Sequence, residues 1–304
     1  MIAFCVRRLL WMIGTLWVVF TVSFFLIRSV PGGPFDGERE LPKEVERAIR
    51  AKYHLDDPLP VQYWDQLTSM ATGDLGYSLK KDIAISKIVA EGFPVSAALG
   101  LLALTFAMVL GLTTGVISAL FRGTAGDVAL RLAATIGIAL PNFVIAGVAI
   151  ILFVFWLPLL PAAGWGSPRQ IILPAFCLGA PYAAYVARIS RTSMLDVLSQ
   201  DHIRTAKAKG VGPMRVALVH ALRGAMLPVV SFLGPAVAGI LTGSLVVEQL
   251  FAVPGMGAHF VNAALERDHT LSMGVVMLYT TLLYTMNFLV DMSYAVLDPR
   301  VKLE

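Results

Sequence analysis

Residues 95–120 read VSAALGLLALTFAMVLGLTTGVISAL, a run without a single charged side chain. At 1.5 Å of rise per residue, about 20 apolar residues cross the roughly 30 Å hydrocarbon layer of a bilayer. This run is long enough to cross it and to tilt or protrude. The rest of the chain agrees: 57% of the 304 residues are hydrophobic and 14% are charged, where soluble domains carry about 25% charge. Mean hydropathy is +0.74. The sequence is that of an integral membrane protein.

Reading outward, residues 9–27 (LLWMIGTLWVVFTVSFFLI) form a span on the N-terminal side. On the C-terminal side, a third span lies within 128–157, broken by Pro141. A fourth lies near 170–187 with Pro174 and Pro181, a fifth runs from about 228 to 247, and a sixth from about 271 to 292. Bundle neighbours satisfy carbonyls that proline frees, so these prolines predict kinks rather than ends. Six spans put both termini on one side. Arg7 and Arg8 precede the first span and Arg122 follows the second. Arg188, Arg191, Arg204, Lys207, Lys209, Arg215 and Arg223 fall between the fourth and fifth, while Arg169 and Arg267 occupy the opposite short loops. The positive-inside rule makes the arginine-rich face cytoplasmic. The expected fold is therefore all-α and polytopic, with six transmembrane helices, N-in and C-in. The first apolar core exceeds a signal-peptide core, and no small-residue cleavage site follows it, so residues 1–27 read as a retained anchor.

Residues 28–93 are too polar for the membrane and are expected to form a small external helical cap. LPKEVERAIRAKYHL places Val45, Ala48, Ile49 and Tyr53 on one helical face, with Pro42 suited to the first turn. LPVQYWDQLTSM repeats the arrangement with Val61, Trp64 and Leu67 after Pro60. In DIAISKIVAEGFP, Asp82 is placed to cap a helix and Gly92 to end it. Residues 94–304 then form the five-span core, with a cytoplasmic segment at about 189–226.

Catalytic signatures are missing. No GK dipeptide occurs, which excludes a Walker A lysine in this sequence, and neither HExxH nor GxSxG appears. Cys5 and Cys177 are too few and too separate for a disulfide framework or thiolate metal site. The five histidines are dispersed, the formal charge of +4 comes without a nucleic-acid-binding motif, and no resident cofactor or metal is expected. What stands out is the basic stretch DHIRTAKAKGVGPMRVALVHALRG, 201–224. Asp201 is placed to cap a short helix over HIRTAKAK, and Gly210 ends it in a left-handed conformation. The return run puts Val216, Val219 and Leu222 on an inner face. Two readings stand side by side: a mechanical handle across the inner ends of two spans, or an amphipathic helix resting its arginines on anionic headgroups.

A resemblance chooses between them. Aligned on Gly210, Arg204, Thr205 and Ala206 stand where binding-protein-dependent ABC importer permeases carry Glu-Ala-Ala. His220, Leu222 and Arg223 stand where that family's pattern has Ile, Leu and Pro. Ala206 and Gly210 agree with the generic pattern, while the glutamate and terminal proline are replaced. The wording RTAKAKG, HALRGAMLPVVSFLGP, GSLVVEQLFAVPGMG, NAALERDHTL and DMSYAVLDPRVKL resembles the peptide-importing branch of that family. The external stretch PGGPFDGERELPKEVERAIRAKYHLDDPLPVQYWDQL resembles the same branch. The resemblance implies a type I ABC importer permease fold and a permease subunit with no ATPase site of its own. It also implies a second homologous permease, two ATPase subunits that bind ATP and Mg, and an external peptide-binding protein. Arg204, Thr205, Ala206, Lys207 and Gly210 become the residues that couple this chain to the ATPase.

Within the spans, ionisable residues are few. Glu248, near the outer end of the fifth span, and Asn142, beside Pro141, are candidates to gate or line a pathway. Asp291 lies near the inner end of the sixth. GLTTG (111–115) and GILTG (239–243) are expected to let helices cross closely. Dipeptide and nickel permeases are the neighbouring alternatives. An ion-driven secondary transporter fits less well, because the external segment and the basic loop have no counterpart in an inverted half.

Overall fold

The computed structural model describes residues 2–30, 43–53, 55–241 and 245–297. The helices are α1 (Ile2–Ser29), α2 (Lys43–Lys52), α3 (Leu59–Ala71), α4 (Ile85–Leu120), α5 (Ala125–Ala139) and α6 (Asn142–Ile150), which continues as a π turn over Ile151–Trp156. Then come α7 (Pro168–Leu198), α8 (Asp201–Ala208) and α9 (Pro213–Arg215), joined by a second π turn, Val216–Ala221, to α10 (Leu222–Leu241). The chain closes with α11 (Leu245–Leu250), α12 (Met256–Leu265) and α13 (His269–Leu297). Among the described residues, five helices are long and apolar enough to span a membrane, and the bent pair α5–α6 makes a sixth candidate.

The chain divides into two compact units, residues 1–95 with 254–288 and 301–304, and residues 96–253 with 289–300. This partition cuts across the hydropathy division at 27 and 93, because 254–288 packs with the N-terminal residues.

In the first unit, Phe20 and Phe24 of α1 are fully buried with Met273, and Tyr63, Leu67 and Met70 of α3 pack on them. Tyr63 meets Phe20 and Phe24 edge-on at 5.4 and 5.2 Å. Of the apolar face read from the sequence, Leu67 packs on this cluster while Val61 and Trp64 are 43% and 61% exposed, and Tyr63 takes the inner position beside Phe20 and Phe24. Arg28 lies 3.7 Å above the Phe24 ring and donates to Gln62 Oε1 at 3.2 and 3.0 Å, tying the outer end of α1 to α3. Asp268 is buried and caps α13 through the Leu271 amide at 3.0 Å, while accepting from Ser78 Oγ at 2.5 Å. Two local expectations fail here. Asp82 does not cap the next helix; it takes φ 50° and accepts from Lys52 and Tyr53, at 2.8 and 2.5 Å. Gly92 does not end a helix either, since α4 runs through it and through Pro94. Pro42 and His54 lie outside the described residues.

In the second unit, α7 is the central element, packed by α5, α6 and α10. Its crossing with α4 is close because of glycine: a Cβ at Gly111 would stand 2.6 Å from the Ala183 carbonyl, and one at Gly179 2.5 Å from that of Ala103. Gly115 faces Ser190 Oγ and the Ala187 carbonyl in the same way. The GLTTG stretch is thus a packing surface. Gly239 faces Tyr182, whereas 242–243 of GILTG are outside the described residues.

Prolines behave differently according to their neighbours. Pro94, Pro174, Pro181, Pro228 and Pro235 sit inside continuous helices. Pro141 instead separates two helices that meet at 113°, so the third span is a bent pair rather than one kinked helix. Leu140 takes extended angles, φ −84° and ψ 131°, as clash with the following proline ring favours. The fifth candidate span also shifts: it runs over Pro213–Val237, and Leu245–Leu250 forms a separate short helix.

Candidate functional site

Ile203 fixes the position of α8. It is fully buried in a cluster with Val116 and Ala119 of α4, Met194 and Val197 of α7, and Val216, Ala217, Ala221 and Ala225 on the return into α10. Ala206 and Val211 pack half-buried against the same cluster. One side of α8 is therefore held on three longer helices, and the other side faces out. Arg204, Thr205 and Lys207 are exposed, as are His202 and Lys209. Arg204 keeps 75% of its side chain accessible while meeting Asp201 at 3.3 Å, a pair too solvated to hold either in place.

The end of α8 is built by its backbone. Gly210 takes φ 81°, its amide donates to the Lys207 carbonyl at 2.9 Å, and the Val211 amide reaches the Ala206 carbonyl at 3.2 Å. Those two bonds, with Ala206 and Val211 both packed on the cluster, constitute a Schellman motif. A Cβ at Gly210 meets nothing within 4 Å, so conformation rather than space demands glycine. The N-cap is Gln200, and Asp201 occupies the first helical turn instead of the cap. The five residues assigned to coupling thus share one short helix and its terminus, with Ala206 facing inward and Arg204, Thr205, Lys207 and Gly210 outward. On the return, Val219 is 57% exposed rather than buried. The π turn at Val216–Ala221 is wider than an α turn and shifts the phase, giving buried positions at 216, 217, 221 and 225.

A second constellation escaped the sequence reading. Asp127, 1% exposed, accepts from Arg191 Nε and a second guanidinium nitrogen at 2.9 and 3.0 Å, from Ser118 Oγ at 2.6 Å, and from the Gly123 amide at 3.0 Å. Arg131 approaches it at 3.4 Å. This clamp joins the end of α4, the start of α5 and α7 about two turns before its C-terminal end. Thr124 caps α5 by accepting the Asp127 amide, so the T-x-x-D spacing at 124–127 was the available signal. Its partner Arg191 lies 64 residues away, and nothing local announces it.

Asn142 and Glu248 stand on other elements. Asn142 is the first residue of α6, half-buried at the corner made by Pro141. Glu248 is 1% exposed on α11, which packs on α6 and α7. Phe251 and Val253 are buried beside it in sequence, and the Phe251 carbonyl accepts from the Gly164 amide at 2.8 Å. Asp291's side chain is outside the described residues. Among the described residues no group of three or more His, Cys, Asp or Glu side chains is arranged to hold a metal ion.

Residues 111–303 match the family described as binding-protein-dependent transport system inner membrane component, and residues 1–100 match its N-terminal membrane component family. The oligopeptide transport system permease protein OppB of Haemophilus influenzae is 46% identical over 305 residues, covering 99% of this chain and all of its own. OppB of Escherichia coli K12 is 45% identical with the same coverage. The dipeptide transport system permease protein DppB of Bacillus subtilis is 44% identical across 100% of this chain and 99% of its own. Among solved structures, an inward-facing MetNI methionine ABC transporter chain superposes with TM-score 0.59 at 18% identity, covering 70% of this chain and 97% of that one. That likeness speaks to the fold.

Proposed function

The chain belongs to the family of binding-protein-dependent transport system inner membrane components, and on that premise we propose that it is the permease subunit of an ATP-driven importer that carries oligopeptides across the cytoplasmic membrane. Its fold is that of the type I ABC importer permeases. The observation that carries the substrate is the end-to-end similarity to OppB proteins, 46% and 45% identical over 99% of the chain.

In this reading a second homologous permease completes the pathway, two ATPase subunits bind the inner face, and an external peptide-binding protein delivers substrate. ATP and Mg belong to the ATPase subunits. The exposed Arg204, Thr205 and Lys207 enter a cleft on the ATPase, and Gly210 fixes the turn behind them. A push on α8 passes through Ile203 into Met194 and Val197 of α7 and into Ala217, Ala221 and Ala225 before and in α10, because a close-packed contact moves as a unit. Asn142 and Glu248 are the pathway candidates: one stands at a helix corner, the other is a buried acid on an element packed against α6.

The DppB relative, nearly as similar at 44%, favours dipeptides as a second reading. Reconstitution of the chain with its companions in proteoliposomes separates these. ATP-dependent uptake of labelled tri- to pentapeptides is expected. Uptake of dipeptides alone would move the assignment to the second reading, and uptake driven by a proton gradient without ATP would overturn both.

A further inference from the structure

Two cavities in the unit containing residues 96–253 share walls. One, of about 320 Å³, lies among Thr114, Ser118, Arg131, Arg188, Arg191 and Thr192. The other, of about 570 Å³, is apolar and fills the angle between α5 and α6, with Leu110, Ile136, Ile145, Leu152, Phe153 and Phe176 around it. Thr114, Leu130, Ala134 and Ala187 line both. Polarity therefore changes in one direction along each wall: from Arg191 and Arg188 through Ala187 to Ala180 on α7, and from Arg131 through Ala134 to Leu140 on α5.

The basic end carries excess charge. Three guanidinium groups line it, and the facing carboxylate, Asp127, pairs with Arg191 at 2.9 Å and Arg131 at 3.4 Å. One negative charge against three positive leaves the cavity cationic. Arg188 is oriented by the Tyr185 ring, 5.2 Å from its guanidinium carbon. Arg131 lies in the first half of α5 and Arg188 and Arg191 in the second half of α7, the halves nearest the arginine-rich connections, and the apolar cavity continues along both helices away from those ends.

We infer that these joined cavities bind an anionic phospholipid of the cytoplasmic leaflet, its phosphate between Arg131 and Arg188 and an acyl chain in the α5–α6 angle. A free phosphate would use only the basic end, and an apolar partner helix would leave the arginines uncompensated. An anionic amphiphile satisfies both ends, as basic recesses between transmembrane helices do for acidic headgroups.

The test is lipid retention by the purified full chain, read by native mass spectrometry after exchange into mild detergent from vesicles of equal phosphatidylglycerol and phosphatidylcholine. Two surplus arginines, at roughly fivefold each, predict about a twenty-five-fold preference for phosphatidylglycerol. Arg131→Gln with Arg188→Gln removes that preference, and Ala134→Phe, which fills the shared wall, lowers retention of both lipids. A photoreactive side chain at Ala133, in a chain that keeps its arginines, should capture lipid, so the result does not depend on the double variant folding. Equal retention of both lipids by the wild type overturns the inference. So does displacement of the bound lipid by millimolar inorganic phosphate, or capture of another polypeptide at Ala133.

Discussion

Gly210 is a residue whose backbone, not its surroundings, sets what may replace it. At φ 81° with open space around a hypothetical Cβ, Gly210→Ala costs about 1–2 kcal/mol, and Gly210→Asn, which tolerates the left-handed region, costs less. Thermal melts of the detergent-solubilised chain should rank glycine, asparagine, alanine in that order; an alanine variant as stable as wild type would show that the Schellman end is dispensable. His259 supplies a pH dependence outside the spans. Burial, with the Lys81 cation adding to it, lowers its pKa below the usual 6.5, and Glu91 acts in the opposite sense. Lys81 Nζ lies 3.2 Å from Nδ1, an arrangement in which the ammonium donates to a neutral ring. The unfolded chain takes up this proton first, so the stability His259 contributes is present above about pH 6.5 and is lost as pH falls below it. Between about pH 7.5 and 5.5 the wild-type melting temperature should fall more than that of His259→Gln; parallel profiles would assign the acid sensitivity to other groups. Gly210 was legible in the sequence because glycine after a basic helical turn is a local signal. Asp127 was not, because its meaning depends on Arg191, 64 residues on.

Helices in this chain owe their positions to a few contacts between elements. Gly115 brings α4 against Ser190 and the Ala187 carbonyl of α7, leaving no room for a Cβ. Gly115→Val should cost 1–3 kcal/mol or more by overpacking, whereas Gly147→Ala, with nothing within 4 Å, should be neutral or gain up to about 1 kcal/mol in helix propensity. Equal melting temperatures for the two would refute the close crossing. Ile203 does for α8 what Gly115 does for α4. Ile203→Ala leaves a cavity worth about 2–5 kcal/mol of local docking, so α8 should loosen while its exposed face keeps its chemistry. In the reconstituted importer, ATP hydrolysis is then expected to continue while peptide uptake falls; uptake that tracks hydrolysis at the wild-type ratio would show that α8 does not transmit force through Ile203. Hydropathy made the long helices legible because each carries its own apolar run. It misplaced Val219 because a π turn inserts a whole residue into the helical repeat, and the composition of VALVHA does not declare it. Trp64 was misplaced for a different reason: periodicity finds two faces of α3, and the aromatic ring of Tyr63 against Phe20 and Phe24 selects the buried one.

For the whole molecule the deciding question is parity. Among the described residues five helices qualify as spans by themselves, and the count becomes six only if α5 and α6 together cross the membrane. Ser118 at the end of α4, Asp127 at the start of α5 and Arg191 near the end of α7 meet within hydrogen-bonding distance. The C-terminal parts of α4 and α7 therefore lie at the same membrane face. The apolar first half of α7 leads away from that face, so the chain must have crossed between Asp127 and Pro168, which is the bent pair. Four crossings, by α1, α4, the α5–α6 pair and α7, then place Lys207 on the side of Arg7 and Arg8, and the single crossing of α1 places Ser69 on the other. With Cys5 and Cys177 replaced by serine, an impermeant maleimide added to intact cells should label Ser69→Cys and should label Lys207→Cys only after permeabilisation, both positions being exposed. Labelling of Lys207→Cys from outside would make α5–α6 a re-entrant pair, turn α8 away from ATP, and remove the physical basis for coupling through Arg204 and Lys207.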